Sequence, residues 1–352
     1  MSTPAISVIM PAYKGGAMIE PTMRSVLAQT FADFEVIVVD DCSPDDTLAR
    51  LRAIADPRVI VIAAERNGGP VASRNRAFAA ARGRYIVGLD QDDLCHPERF
   101  ARQWAFLDAH PEVVLVASAV DYLEDGAIQP PRAPFATTPL LIDWQLQMGN
   151  PLVWSSVMFR AEAARRLDPF ERQERLYAED FDFYHRLAQF GAIARIDMPL
   201  TTYRIHPGGA SKHSAARMIE SASAVLAEHY APIFGGEAPD AAGLVIGHFA
   251  SGNPAPDAAT LARLAGVIAR VHDHFIATRA PDSAATALIM AEYSRAWWRL
   301  ATASVRAGFI PLPLALAARP AGLALSDAGV IHAATSAVIG RCRALTARRR
   351  AS

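Results

Sequence analysis

Between residues 6 and 89 the chain repeats one alternation: a short, almost wholly apolar run, then a segment with helical spacing, then another apolar run. "ISVIM", "FEVIVVD", "RVIVIA" and "RYIVGL" are rich in β-branched residues and have no polar face. A strand covered on one side alternates in polarity. A strand apolar at nearly every position has to be covered on both. Between these runs lie "PTMRSVLAQT", "DDTLARLRAIA" and "GPVASRNRAFAAARG", which read as helices. Pro21 suits a first helical turn. Asp45 and Asp46 stand at a helix start, where the macrodipole favours acids. Gly83 is expected to close the third helix. Strands separated by single helices predict an α/β fold with a mainly parallel central sheet and helices on both faces. In such sheets ligands bind beyond the carboxyl ends of the strands.

From Pro97 to Arg204 the pattern is mixed: "ERFARQWAFLDAH" reads as helix, "VVLVASAV" and "SSVMFRA" as strands, and residues 126–140 as proline-rich loop. "EDFDFYHRLAQFG" is a helix with Phe181, Tyr184 and Leu187 along one side. From about residue 215 strand-like runs give way to alanine-rich helical segments. We therefore expect two domains, 1–212 and 213–352, with the boundary near Lys212; 352 residues are also many for one small core.

With a formal net charge of −1 there is no global basic bias, and nucleic acid is not an expected partner. Cys42, Cys95 and Cys342 fit neither a zinc site nor a disulfide framework, which points to a reducing, cytoplasmic setting. The apolar run near the N-terminus is short and lacks a basic leader, so it reads as a strand and not as a signal peptide. "GFIPLPLALAA" is too short to span a bilayer and carries two prolines.

Two acidic clusters close consecutive buried-looking strands. "VDDCSPDD" puts Asp40 and Asp41 at the end of the second, and "GLDQDDLCHP" puts Asp90, Asp92 and Asp93 after the fourth. Both fall on the sheet edge where ligands bind. A D-x-D pair there can hold a hard divalent cation such as Mn²⁺ or Mg²⁺, which takes few protein carboxylates and completes its shell with phosphate oxygens and water. The plain alternative is a polar turn, with Asp92 or Asp93 capping the helix after Pro97.

The ordered set "VIMPAYKGG", "VIVVDDCSPDDT", "NGGPVASRNRAF", "GRYIVGLDQDDLCHPERF" and "YAEDFDFYHRLA" resembles the family 2 glycosyltransferases, from about Ile6 to His206. The resemblance implies the GT-A fold. It also implies transfer of a sugar from a nucleoside diphosphate donor, UDP-sugar by default, with inversion of configuration. The acceptor would be a saccharide, lipid-linked or other glycoconjugate hydroxyl. By the same resemblance Pro11 opens the base pocket, Tyr13 lies against the nucleobase, and Asp41 accepts a hydrogen bond from the base. Asn67 and Arg74 follow on the next loop and helix, Arg74 meeting the diphosphate or making an ordinary salt bridge. Asp90 and Asp92 form the metal pair, with His206 as a further metal ligand and Arg204 at phosphate. In "AED", Asp180 is the catalytic base and Glu179 positions the acceptor. Trp154 is expected either to stack on a sugar ring or to pack in the core.

The last third lies outside the resemblance. From Arg299 onward it carries eight arginines and one acid, Asp327. It reads as a helical cap with a frayed basic tail, or as a peripheral contact with the inner face of an anionic membrane that presents a lipid-linked acceptor. Trp297 and Trp298 are expected to pack between helices, with one of the pair outward. Two rival functions stand beside transfer. One is a non-catalytic sugar-nucleotide-binding scaffold. The other is a sugar nucleotidyltransferase, for which "PAYKGGAM" lacks the arginine that usually follows the glycines.

Overall fold

The computed structural model describes residues 3–131, 137–209, 214–323, 334–341 and 343. The chain divides into two compact units, Met1–Ile142 with Pro151–Met218, and Asp143–Asn150 with Ile219–Ser352. The boundary expected near Lys212 lies outside the described residues, as do Cys342 and the basic tail from residue 344.

The first unit is built on a nine-stranded mixed sheet. Its strands are β1 (Ile6–Ala12), β2 (Phe34–Asp40), β3 (Val59–Ala63), β4 (Tyr85–Gly88), β5 (Leu94–Cys95), β6 (Val113–Glu124), β7 (Ala127–Gln129), β8 (Met158–Arg160) and β9 (Ala192–Ile205). Their spatial order is β3-β2-β1-β4-β8-β6-β9-β5, with β7 paired to β6. The β3-β2-β1-β4 block is parallel, as the apolar runs require, and β6 runs parallel to β9. The short β8 is antiparallel to both β4 and β6 and joins the two halves.

Helices α1 (Ile19–Leu27), α2 (Thr47–Arg52), α3 (Gly69–Ala80) and α4 (Arg99–Ala109) follow β1, β2, β3 and β5 in the chain. Every residue of β2 is buried, which explains why it has no polar face. Gly83 does not close α3 in a left-handed cap. That helix ends in extended backbone at Ala81, and a Cβ on Gly83 would stand 2.5 Å from the Ser7 amide nitrogen. The position needs glycine because the chain crosses β1 at close range.

The strand ends that face the site are propped from inside. Arg99 is wholly buried in α4, yet it is saturated: Nη2 donates to the carbonyls of Gly88 and Val157, both at 3.1 Å, and Nε to Gln103 Oε1 at 3.1 Å. A buried guanidinium is tolerable only with partners of this kind. It ties the end of β4 to the end of the loop before β8.

In the remainder of this unit α6 (Ala161–Ala164) and α7 (Glu179–Leu187) are helical, and α5 (Pro139–Leu146) begins in it and ends in the second unit. Phe181, Tyr184 and Leu187 are all buried, as their spacing predicts.

The second unit is helical: α8 (Ala215–Phe234), α9 (Ala238–Leu244), α10 (Ala258–Arg279), α11 (Ser283–Ala307) and α12 (Leu312–Ala317). Asp257 caps α10 by accepting from the Thr260 amide at 2.7 Å, and Asp282 caps α11 through Ala285 at 2.8 Å. Such caps contribute about 1 kcal/mol each. Gly308, at φ 83, ends α11 in the left-handed region. Trp297 and Trp298 are both buried, at 0% and 9% exposure, so the expectation that one faces outward is corrected. Adjacent helical residues point about 100° apart, and the buried arc of α11 is wide enough to take both. No described helix is long and apolar enough to cross a membrane.

Candidate active site

A cavity of about 860 Å³ opens at the carboxyl ends of β1, β2 and β4, within the first unit. Each of those strands ends in a turn that lines it.

At the end of β1, Pro11, Ala12 and Tyr13 form one wall, with the Tyr13 side chain 40% exposed. Its backbone is gripped by Gln91, the middle residue of D-x-D. The Tyr13 amide donates to Gln91 Oε1 at 2.9 Å, and Gln91 Nε2 donates to the Tyr13 carbonyl at 2.8 Å. Sequence reasoning missed Gln91; its only signal was its place between two candidate ligands.

At the end of β2, Asp41 receives two amides at its carboxylate, Gly68 N–H at 2.8 Å on Oδ1 and Gly69 N–H at 2.7 Å on Oδ2. Asn67 Nδ2 donates to the Asp41 carbonyl at 3.1 Å. Asp41 therefore shapes the 67–69 loop as well as lining the cavity. Gly69 sits at φ 83, which disfavours a side chain there.

The centre of the site is Arg74 on α3, 6% exposed. Nη2 donates to Asp90 Oδ1 at 2.8 Å and Nη1 to Glu179 Oε1 at 2.9 Å. The guanidinium lies over the Trp154 ring at 4.7 Å. Arg74 thus makes the salt bridges that were one of its two expected roles, and it also lines the cavity. Trp154 is 4% exposed and packs against Phe159, Phe170 and Phe183. It supports Arg74 from behind and does not offer its face to a sugar. Gly88 makes room for it, since a Cβ there would stand 2.7 Å from the indole.

A third acid faces Arg74. Glu171 is wholly buried, 3.7 Å from Nη1, and neither carboxylate oxygen has a hydrogen-bond partner. Burial pushes its carboxyl well above the usual carboxylate range, against the pull of Arg74. Nothing in the sequence marked it.

Of the metal set, Asp92 and His206 meet, Nε2 standing 2.8 Å from Oδ2. Asp90 gives one oxygen to Arg74 instead. Among the described residues no three metal-ligating side chains already converge. Burial and the Asp90 charge raise the Asp92 carboxyl, with His206 opposing. Asp93 caps no helix. It is buried, its Oδ1 accepts the Arg204 amide at 2.9 Å, and it is pushed well up by burial and by the charges of Asp92 and Asp90. In that way it fixes the end of β9, from which Arg204 and His206 line the cavity.

Glu179 opens α7, lines the cavity, and is 6% exposed. Asp180 follows it in the first turn, with Oδ1 accepting the Phe181 amide at 2.7 Å. It is half-buried and is not among the residues that line the cavity. The structure thus gathers Pro11, Tyr13, Asp41, Asn67, Arg74, Asp90, Asp92, Glu179, Arg204 and His206 around one space. Asp180 stands one residue outside it and Trp154 underneath.

Known proteins resemble this chain in sequence and in fold. Residues 7–171 match the profile of "Glycosyl transferase family 2". The succinoglycan biosynthesis protein ExoO of Rhizobium meliloti (strain 1021) is 37% identical over 166 residues, which is 45% of this chain and 44% of that one. The putative glycosyltransferase EpsE of Bacillus subtilis (strain 168) is 30% identical over 195 residues, 54% of this chain and 69% of that one. Less than half of the first curated relatives' length is spanned. Among solved structures, S. aureus TarS 1–349 in complex with UDP-GlcNAc superposes with a TM-score of 0.54 at 18% identity, over 98% of this chain and 91% of that one. The mannosyltransferase PcManGT from Pyrobaculum calidifontis, in complex with GDP-Man and Mn²⁺, gives 0.52 at 18% identity over 96% and 88%. These two likenesses concern the fold, a GT-A α/β unit followed by helices. Sequence profile, relatives and fold agree: the chain belongs to glycosyl transferase family 2.

Proposed function

We propose that the cavity binds a nucleoside diphosphate sugar, UDP-sugar by default, and transfers the sugar with inversion to a hydroxyl of a saccharide or lipid-linked acceptor. The observation that carries this reading is the convergence of three kinds of group on one space. An exposed aromatic and an acid-fixed loop stand at one side (Tyr13, Asp41, Asn67). A carboxylate–imidazole pair stands in the middle (Asp92, His206). Glu179, at the head of α7, lines the same space. Nucleotide sugars are bound by the two structural neighbours, TarS with UDP-GlcNAc and PcManGT with GDP-Man.

Tyr13 offers a flat face to the base. The Asp92 and His206 pair supplies one oxygen and one nitrogen donor. That donor set, with Asp90 beside it, fits a divalent ion such as Mn²⁺ or Mg²⁺. When bound, such an ion supplies charge to the departing diphosphate. Arg74 holds Asp90 and Glu179 in fixed relation and keeps the wall rigid. Glu179 positions the acceptor. Asp180, one residue on at the head of α7, takes the acceptor hydroxyl proton as that oxygen attacks the anomeric carbon in line. The setting is cytoplasmic, at the inner face of the membrane where the acceptor is lipid-linked.

The test is a thermal-shift screen of nucleoside diphosphate sugars with and without Mn²⁺, since a ligand that binds only the folded state raises its melting temperature. Turnover assays on Asp180→Asn follow. The reading expects a Mn²⁺-dependent shift, and donor binding without turnover in the variant. Wild-type binding without turnover would favour a scaffold, and turnover unchanged by Asp180→Asn would remove that residue as base.

A further inference from the structure

The helical unit ends, among its described residues, in a corner that is both apolar and cationic. After Gly308 the chain turns outward. Phe309 is 55% exposed, and on α12 Leu314 is 49% and Leu316 36% exposed. Ile310 and Ala315 point inward and anchor the segment. The helical residues 334–341 lie on the same corner. A Cβ on Gly340 would fall 2.0 Å from the Val305 carbonyl oxygen, so the two backbones touch there. Arg343 Nη1 donates to the Arg306 carbonyl at 3.3 Å. Val338 is 65% exposed on the side of this helix turned away from the Gly340 contact.

The same segments carry four exposed arginines, Arg306, Arg319, Arg341 and Arg343. Neither 293–323 nor 334–343 contains a single aspartate or glutamate. An ordinary water-facing surface mixes both signs of charge and scatters its exposed apolar residues singly. In these two segments acids are absent, and Phe309, Leu314 and Leu316 follow one another closely in the chain. A surface of opposite charge with hydrocarbon just beneath it complements both properties at once.

We propose that this corner, Arg306 to Arg319 together with Arg341 and Arg343, docks on the surface of an anionic phospholipid bilayer. Phe309, Leu314 and Leu316 enter the headgroup boundary, and the arginines engage lipid phosphates. No described helix is fit to cross the bilayer, so the contact is peripheral. The proposal deepens the transfer reading by naming the surface that presents a lipid-linked acceptor. It rests on that reading for its purpose alone, because its test involves no sugar.

The experiment is co-sedimentation of the full chain with phosphatidylcholine vesicles, with and without phosphatidylglycerol, across a salt series. Binding is expected only with phosphatidylglycerol and should weaken as salt rises. Arg306→Gln with Arg319→Gln should lower vesicle affinity about 25-fold, at about fivefold per arginine. Phe309→Ser with Leu314→Ser should lower it at least about tenfold. Both variants should keep the wild-type response to UDP. Three results overturn the proposal: no binding to phosphatidylglycerol vesicles, equal binding to neutral ones, or a dimer that the serine variant disperses in the absence of lipid binding. If the variants aggregate, the wild-type lipid and salt dependence decides alone. Vesicle binding with no response to any nucleotide sugar would sink the transfer reading and leave the docking corner standing.

Discussion

Replacing Arg74 by methionine should be the most damaging single change in the first unit, and the damage should depend on pH in a particular direction. Methionine fills much the same space and keeps the contact with Trp154, so what is lost is charge. Arg74 faces Asp90 at 2.8 Å, Glu179 at 2.9 Å and Glu171 at 3.7 Å. At an effective dielectric of about 20, a unit pair at 2.8 Å carries a gross attraction of about 6 kcal/mol, before the desolvation of both partners is subtracted. The net figure is smaller: removing one partner of a buried pair costs about 3–5 kcal/mol, because the other charge stays behind. Domains of this size lose roughly 2–4 °C per kcal/mol, so the melting temperature should fall by roughly 6–20 °C. The abandoned carboxyls can escape only by taking up protons. Their folded pKa values then lie above the unfolded ones, so the folded variant binds more protons than the unfolded chain. Its stability is therefore lost as pH rises, and the deficit against wild type should narrow on going from about pH 8 to about pH 5. The assay is thermal unfolding of both proteins across that range, with Arg74→Lys as a check on shape, since an ammonium cannot span two carboxylates with the same fork. A methionine variant melting within about 2 °C of wild type at neutral pH would refute the reasoning. It would mean that the three acids do not depend on Arg74 in the folded state.

Three further outcomes are expected. Tyr13→Ala should weaken free UDP and UDP-sugars alike, by roughly tenfold for one lost base–aromatic stack; calorimetry in which only the sugar nucleotide weakens would remove the stacking role. Asp92→Ala should abolish the Mn²⁺-dependent part of UDP affinity, and an unchanged dependence on Mn²⁺ would place the ion elsewhere. In the helical unit, burial lowers the pKa of His272, with Asp273 opposing, and its Nδ1 accepts the Trp144 indole N–H at 3.2 Å, which requires the neutral ring. A depressed folded pKa gives stability that is present above the unfolded value of about 6.5 and lost as pH falls below it. Part of the fall in melting temperature between about pH 7 and pH 5 should therefore vanish in His272→Phe, and an identical slope in the variant would show that His272 does not titrate across unfolding.

The fold of the first hundred residues was legible because one force dominates there. β2 is buried at every position, as a run without a polar face requires, whereas β3, at the sheet edge, is only partly covered, with Ile60 37% exposed. The helices between them follow from chain connectivity, since parallel neighbours need a crossover. Legibility ended where position depends on one close approach. Gly83 carries the same letter whether it caps a helix or lets the chain pass β1, and only the 2.5 Å to Ser7 distinguishes the two. Trp297 and Trp298 misled for a related reason: adjacent helical residues were expected to divide between core and solvent, whereas α11 is buried over a broad arc.

The site divides along the same line. Residues that end strands were found, because strand ends are visible as apolar runs followed by acids, and Asp41, Asp90 and Asp92 all line the cavity. What the sequence could not carry is the set of partners each acid has. A carboxylate at a strand end reads as a candidate ligand, but whether it is free to act depends on cations that arrive from elsewhere in the chain. Asp90 is held by Arg74, 16 residues away, and Arg74 in turn by Glu179, 105 residues beyond it. Glu171 illustrates the converse. It lies between no recognisable motifs, yet Asn75, the residue after Arg74, holds its backbone with two hydrogen bonds of 2.8 and 2.9 Å. Arg74 and the buried acid are thereby set in register by the backbone, before their charges interact. Burying a carboxylate without hydrogen bonds costs stability, and a chain selected for stability alone would place a leucine there. That Glu171 remains beside the guanidinium that holds Asp90 and Glu179 argues that the charge balance around Arg74 belongs to the working of the site, not to the packing of the fold.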